Sequence, residues 1–249
     1  MSLFPHELRN QMRLYVRSRE LAFFTFLLPI VIFVLLGSVY GEDEIEGVKG
    51  SRYLLAGMLG YGVVATVFAG LAIVLVIRRE SGVLKRLRAT PLPAPTYIAA
   101  MLTTFLTAFA LEVVCLVVLA RVLFDAPLPG HAFSLALSLA LGAASFAALG
   151  IGLSGLVRSA EGSSAVVNAI YLPMAFLSGS FFSPNSFPDF LRAIAEVLPL
   201  TYFIQLVRDV MLHGDEIWSE PGAVAGVAAW GVVGLVVAVR RFRWEPRES

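Results

Sequence analysis

Few residues in this sequence are placed to do chemistry. The sharpest is Glu112, an acid inside an otherwise apolar run. A carboxylate at mid-membrane costs about 2.5–3.5 kcal/mol on insertion scales, so such groups usually face a helix-bundle interior. Glu112 therefore reads either as a polar contact on a substrate or proton path, or as a protonated or hydrogen-bonded structural acid. In the second case Asn168 or a backbone carbonyl is its expected partner. The three histidines, His6, His131 and His213, are scattered and form no metal set. No serine, histidine and acid fall together as a hydrolase needs. No Gly-x-x-x-x-Gly-Lys-Ser/Thr loop occurs, so the chain is expected to bind no ATP of its own and to be no enzyme. The single cysteine, Cys115, excludes an intrachain disulfide and reads as a small apolar residue.

The second chemically distinctive stretch is basic: Arg78-Arg79-Glu80-Ser81-Gly82-Val83-Leu84-Lys85-Arg86-Leu87-Arg88-Ala89-Thr90-Pro91-Leu92-Pro93. Val83, Leu84 and Leu87 share one side of a helix, since residues three and four apart are neighbours. Lys85, Arg86 and Arg88 sit mostly off that stripe. Thr90 precedes a proline and so leaves the helical region, which stops the helix. The segment can hold topology and meet anionic lipid. Its apolar stripe favours docking on another protein.

These residues need long apolar elements to position them. Of the 249 residues, 58% are hydrophobic and 15% charged, against about 25% charged in a soluble domain. A span takes roughly 20 apolar residues to cross about 30 Å of hydrocarbon. Six stretches qualify as spans: residues 21–40, 54–77, 97–119, 132–157, 165–182 and 222–239. Residues 3–20 carry Leu8, Met12 and Tyr15 on one stripe and Arg9, Arg13 and Arg17 elsewhere, as in a helix lying in the interface. Pro29 is expected to kink the first span. Gly57, Gly60, Gly62, Ala65 and Ala69 offer close helix approach, and Ala140, Ala144, Ala148 and Gly152 form a seam of small residues. Residues 183–221 read as two short outer helices, 187–197 and 202–212, split by Pro199 and apolar on one side. Fourteen Lys and Arg fall on the side of the termini and five on the other. The positive-inside rule then puts both termini in the cytoplasm of a multi-pass protein of the inner or plasma membrane. No internal repeat is visible, which disfavours a carrier built from inverted halves. The fold class is all-α, one transmembrane domain over residues 1–249.

The stretch Arg79-Glu80-Ser81-Gly82 to Thr90-Pro91-Leu92 resembles the cytoplasmic loop of ABC-2 type permeases. Leu177-Ser178-Gly179, then Phe182, Pro184 and Pro188, then Pro199-Leu200-Thr201-Tyr202, is similar to that family's fifth-span exit and outer helices. The resemblance covers the whole chain and is nearest to the drug- and antibiotic-export branch, hence to multidrug export. It implies a half-transporter: a second permease chain, identical or homologous, and two copies of a separate ATPase that holds ATP and Mg2+. No cofactor is implied in this chain, and no nucleic-acid partner. The coupling segment, residues 78–95, would press on the ATPase through Glu80, Gly82, Val83, Leu84, Leu87, Arg88, Thr90 and Pro91. Arg158 and Glu161 would make a smaller second contact. The second and fifth spans would line a route with Glu112, Asn168, Tyr171, Met174 and Phe181 as candidates, and the outer helices around Pro199, Thr201 and Tyr202 would cap it. The cargo would be a small hydrophobic, amphipathic or lipidic compound. A lipid-linked glycan, a non-transporting scaffold or sensor, and an ATP-independent carrier are the competing readings.

Overall fold

A computed structural model describes residues 3–19 and 23–245. Helix α1 (Leu3–Arg17) is followed, after the undescribed residues, by a π-helical turn, Phe23–Leu27, that runs into α2 (Leu28–Tyr40). A two-stranded antiparallel hairpin, β1 (Glu44–Ile45) and β2 (Val48–Lys49), leads into the long helix α3 (Gly50–Glu80). Then come the short α4 (Val83–Arg88), α5 (Ala94–Phe124), α6 (Ala132–Leu156) and α7 (Ser163–Leu177). Helices α8 (Asp189–Val197) and α9 (Pro199–His213) follow, and α10 (Pro221–Arg241) closes the bundle.

Four of these, α3, α5, α6 and α10, are long and apolar enough to cross a membrane. Thr25–Tyr40 and α7 are apolar but shorter. Helix α3 is the hub: 72% of its apolar window is buried inside the chain, against 22% for α10. Along all of α3 only Ile77 is exposed. Tyr53, Leu54, Met58, Leu59, Leu71 and Leu75 lie fully inside.

Local chemistry sets the element ends. The hairpin turn Glu46-Gly47 has positive φ at both residues, 53° and 80°, the arrangement whose twist matches two short antiparallel strands. Helix α5 starts just after Pro93, with Pro95 in its first turn, where a missing N–H leaves no bond broken. Helix α7 stops at Ser178 because Gly179 turns left-handed at φ 89°. The expected fifth span, residues 165–182, is therefore helical only to Leu177, and Phe181 and Phe182 belong to the turn beyond it.

Three expected features take a definite form. Pro29 sits in the first turn of α2, just past the π-helical turn. Of the expected small-residue seam of α6, Ala148 and Gly152 meet Gly234 of α10. Ala140 and Ala144 are exposed, and the close crossing with α10 runs through Ser145 and Gly152. The Ser145 hydroxyl donates to the Val227 carbonyl at 2.8 Å. A Cβ on Gly234 would stand 2.5 Å from the Leu149 nitrogen, so only glycine fits there. Finally, Pro199 separates the two short outer helices, as expected, and opens the second of them, α9. Leu198 before it is extended, as a residue preceding proline must be, and α8 meets α9 at 84°.

Candidate functional site

The end of α3 carries two consecutive arginines that point apart. Arg78 Nη1 donates to Gln11 Oε1 and to the Tyr97 hydroxyl, both at 2.6 Å. Its guanidinium also lies 5.8 Å from the Tyr97 ring centre. Three helices, α1, α3 and α5, thus meet at one cation. Gln11 is buried in α1 beside Tyr15, so the inward face of α1 is part polar, while Arg9, Arg13 and Arg17 stay exposed.

Arg79 turns the other way and is 2% exposed. Nη1 donates to the Ser154 carbonyl at 2.7 Å and Nη2 to the Val157 carbonyl at 2.6 Å. The last carbonyls of a helix have no partner within it. Arg79 supplies partners at the end of α6, where a positive charge also complements the helix dipole. Glu80 takes the remaining Nε–H at 2.7 Å and balances the charge. Glu80, read from the sequence as part of the docking surface, instead joins Arg79 in a strut that fixes the coupling segment to the second loop at this end.

Gly82 follows with φ 72°, a left-handed step that turns the chain from α3 into α4. Helix α4 then lies with Leu84 fully buried in the chain's own core and Leu87 partly buried against it. The expectation that Leu84 faces a partner is corrected: the stripe is amphipathic because it packs on its own bundle. Val83 is half-buried. Leu87, Leu92, Ala94, Tyr97 and Trp244 enclose a cavity of about 200 Å³, so the segment after α10 folds back beneath α4. Thr90 ends α4 by donating its hydroxyl to the Leu87 carbonyl at 2.7 Å. What remains outward is Lys85, Arg86, Ala89, Thr90 and Pro91. The side chain of Arg88 lies outside the described residues. In the loop between α6 and α7, Arg158 and Glu161 are exposed.

Glu112 is 1% exposed on α5. Its Oε2 accepts from the Thr66 hydroxyl at 3.0 Å, so the partner is Thr66 on α3 and not Asn168. A Cβ on Gly62 would come within 2.6 Å of Glu112 Oε1, which explains that glycine. Thr66 lies in a π-helical stretch of α3, Val63–Gly70. The other path candidates separate. Tyr171, Met174 and Phe181 are buried, and the rings of Tyr171 and Phe181 gather around Tyr61, with centres 6.4 Å and 5.4 Å from its own. Asn168 is half-buried one turn away on α7. The second span, expected to line a route, is covered by its own chain along nearly its whole length.

The opposite end of the bundle is also tied. The Ser183 hydroxyl donates to Glu46, and Asn185 Nδ2 donates to the same carboxylate at 2.8 Å. Arg208 stacks 3.7 Å over the Tyr53 ring and donates to the Gly179 carbonyl at 2.5 Å. Burial lowers the guanidinium's proton affinity and raises that of the neighbouring Asp209 carboxyl, the latter partly offset by a hydrogen bond from His213. Thr201 donates to the Ala195 carbonyl at 2.5 Å and holds the α8–α9 elbow. Tyr202 packs against Gly226 of α10, where a Cβ would meet its ring at 2.5 Å. Pro199 is buried at the start of α9.

Gln11, Tyr97, Thr66, Tyr61, Glu46 and Arg208 were not readable as site residues. The available hints were a polar residue in the apolar half of α1 and a cation in an otherwise apolar outer helix.

A bundle of apolar helices, tied by buried cations at one end and a charged loop cluster at the other, is a multi-pass membrane domain. The transport-permease class fits it, and the comparisons name the family. Residues 4–212 match the model of the ABC-2 type transporter family, and the chain belongs to that family. It is 22% identical over 221 residues to the Bacillus subtilis (strain 168) protein named as transport permease YvfS, covering 88% of this chain and 90% of that one. It is 24% identical over 209 residues to the inner membrane transport permease YadH of Escherichia coli (strain K12), covering 83% and 80%. The inner membrane transport permease YhhJ of the same strain is 24% identical over 173 residues, covering 68% and 46%. The chain is thus an ABC transporter permease component, a transmembrane part and not itself the ATPase.

Proposed function

We propose that this chain is the permease half of an ATP-driven exporter that moves hydrophobic or amphipathic compounds out of the cell. Six crossings put both termini in the cytoplasm, with α1 in the inner interface. Two such chains pair, and two separate ATPase subunits, holding ATP and Mg2+, dock beneath them.

The observation that carries this reading is the build of the arginine-bound end. Arg79 bonds to the end of α6 and Gly82 turns the chain, so α4 and the loop bearing Arg158 and Glu161 are held as one body. The outward rim of α4, with Lys85, Arg86, Thr90 and Pro91, is polar and unattached to the core. A rigid polar rim fixed directly to the hub helix suits transmission of a partner's motion, whereas a topology signal alone needs no buried strut. The apolar and aromatic cluster of Tyr61, Tyr171, Met174 and Phe181 supports a cargo with substantial apolar surface. An ATP-driven machine moves cargo only if its two states bind that cargo differently.

The test is gentle purification of the tagged chain from membranes. A stoichiometric ATPase should accompany it, and Lys85→Glu with Arg86→Glu should release that ATPase while the chain still inserts and folds. Retention of the ATPase by the doubly reversed rim would refute the docking role.

A further inference from the structure

The cavity at the end opposite the arginine struts has no part in coupling. It measures about 180 Å³ and is lined by Glu46, Tyr53, Ser178, Arg208, Asp209 and His213, among others. At about 30 Å³ per molecule of liquid water, this is room for a small head group rather than a whole cargo. Its polar groups are not all paired with one another. The Ser178 hydroxyl is buried, in a residue 1% exposed, and has no protein partner. Asp209 bonds His213 through Oδ1 at 3.3 Å, while Oδ2 is buried and unpaired. Buried polar groups without partners are rare, and each calls for an explanation.

The unpaired acceptors decide what fits. Two carboxylates, Glu46 and Asp209, line the cavity with the guanidinium of Arg208 and the ring of His213. Arg208 is already engaged by the Tyr53 face and the Gly179 carbonyl, although its Nε finds no partner. Asp209 Oδ2 is left as an unpaired acceptor, beside a Ser178 hydroxyl that can accept as well. The floor adds apolar surface from Val48, Pro184 and Leu212, which an aliphatic chain leaving the cavity would cover. Glu46 is held in place despite a positive φ of 53° by the bonds from Ser183 and Asn185. A non-glycine residue in that region persists only where its surroundings fix it.

We propose that this cavity is a binding site for the ammonium group of an amphipathic amine, with Asp209 Oδ2 and the Ser178 hydroxyl as its acceptors and Val48, Pro184 and Leu212 under the chain. The inference deepens the export reading by naming a cargo class, and it rests on that reading only for the direction in which the amine travels. Binding itself needs no ATP.

The purified chain in phosphatidylcholine nanodiscs is titrated by calorimetry with octylamine, octanol and octanoate. Octylamine should bind saturably, one per chain. Asp209→Asn, nearly isosteric and able to keep the His213 contact, should weaken octylamine by about tenfold or more, the loss expected for one hydrogen bond to a charged group, and leave octanol unchanged. Ser178→Ala, which removes only a hydroxyl, should weaken it several-fold and guards against a misfolded first variant; the thermal midpoint of both is recorded. Equal octylamine affinity in wild type and a folded Asp209→Asn or Ser178→Ala overturns the proposal, as does tighter binding of octanoate than of octylamine. ATPase association in the same preparations separates the two readings: an attached ATPase with no amine site defeats this inference alone.

Discussion

Arg79 gives the most discriminating perturbation. Replacing it with Ala removes bonds of 2.7 and 2.6 Å to two carbonyls at the end of α6 and a 2.7 Å ion pair to Glu80. The side chain is 2% exposed, so the abandoned carbonyls and carboxylate recover little hydration. Breaking a buried charged set by deleting one partner costs about 3–5 kcal/mol. For a chain of this size each kcal/mol lowers Tm by about 2–4 °C, so the midpoint should fall by about 6–20 °C. Scanning fluorimetry of the detergent-purified chain measures this. Arg79→Lys keeps the charge but cannot fork to two carbonyls, so about half the loss should return. The same two variants with an intact outward rim should still bind the ATPase at low temperature yet show weaker coupling of ATP turnover to cargo. An unchanged midpoint in Arg79→Ala would refute the strut role, because an arginine 2% exposed persists only if its bonds hold it there.

Other outcomes follow from burial. Leu84→Ala should cost about 2–5 kcal/mol by leaving a cavity in the core, read as lower expression and midpoint; a mild effect would mean that Leu84 faces a partner after all. Glu112→Gln should be tolerated, since Thr66 can still donate to its carbonyl oxygen, whereas Gly62→Val should destabilise by driving into the Glu112 carboxylate; the two midpoints check both. Gly234→Val should disrupt the α6–α10 crossing, visible as faster proteolysis, because its Cβ would stand 2.5 Å from a backbone nitrogen.

The apolar runs were readable because length and hydropathy alone determine them. Residues 54–77, 97–119, 132–157 and 222–239 lie almost wholly within α3, α5, α6 and α10. Helices α3, α5 and α10 extend further, since polar ends do not by themselves break a helix. The basic segment was also legible as a special element, but the direction of its side chains was not. Leu84 and Arg79 both turn inward, and one amphipathic turn of helix looks the same whether its stripe meets its own bundle or a partner. The partner of Glu112 was hidden for a related reason. Thr66 is forty-six positions away, and no spacing rule links residues on separate helices. The Glu46–Ser183 and Arg78–Gln11 ties are equally non-local.

The π-helical stretch Val63–Gly70 has one more consequence. A turn of this kind bonds i to i+5, so it takes up a residue more than an α turn. Successive residues of an α-helix differ by about 100° in azimuth and 1.5 Å in height. Rewinding that stretch to α without removing a residue would swing everything below it by roughly that angle, carrying the guanidinium of position 78 toward where its neighbour now reaches, whereas excising one residue as well would leave the lower half in phase. The wide turn thus works as a phase adjuster, tuning the lower half of the hub to its two anchors independently of how the upper half is seated.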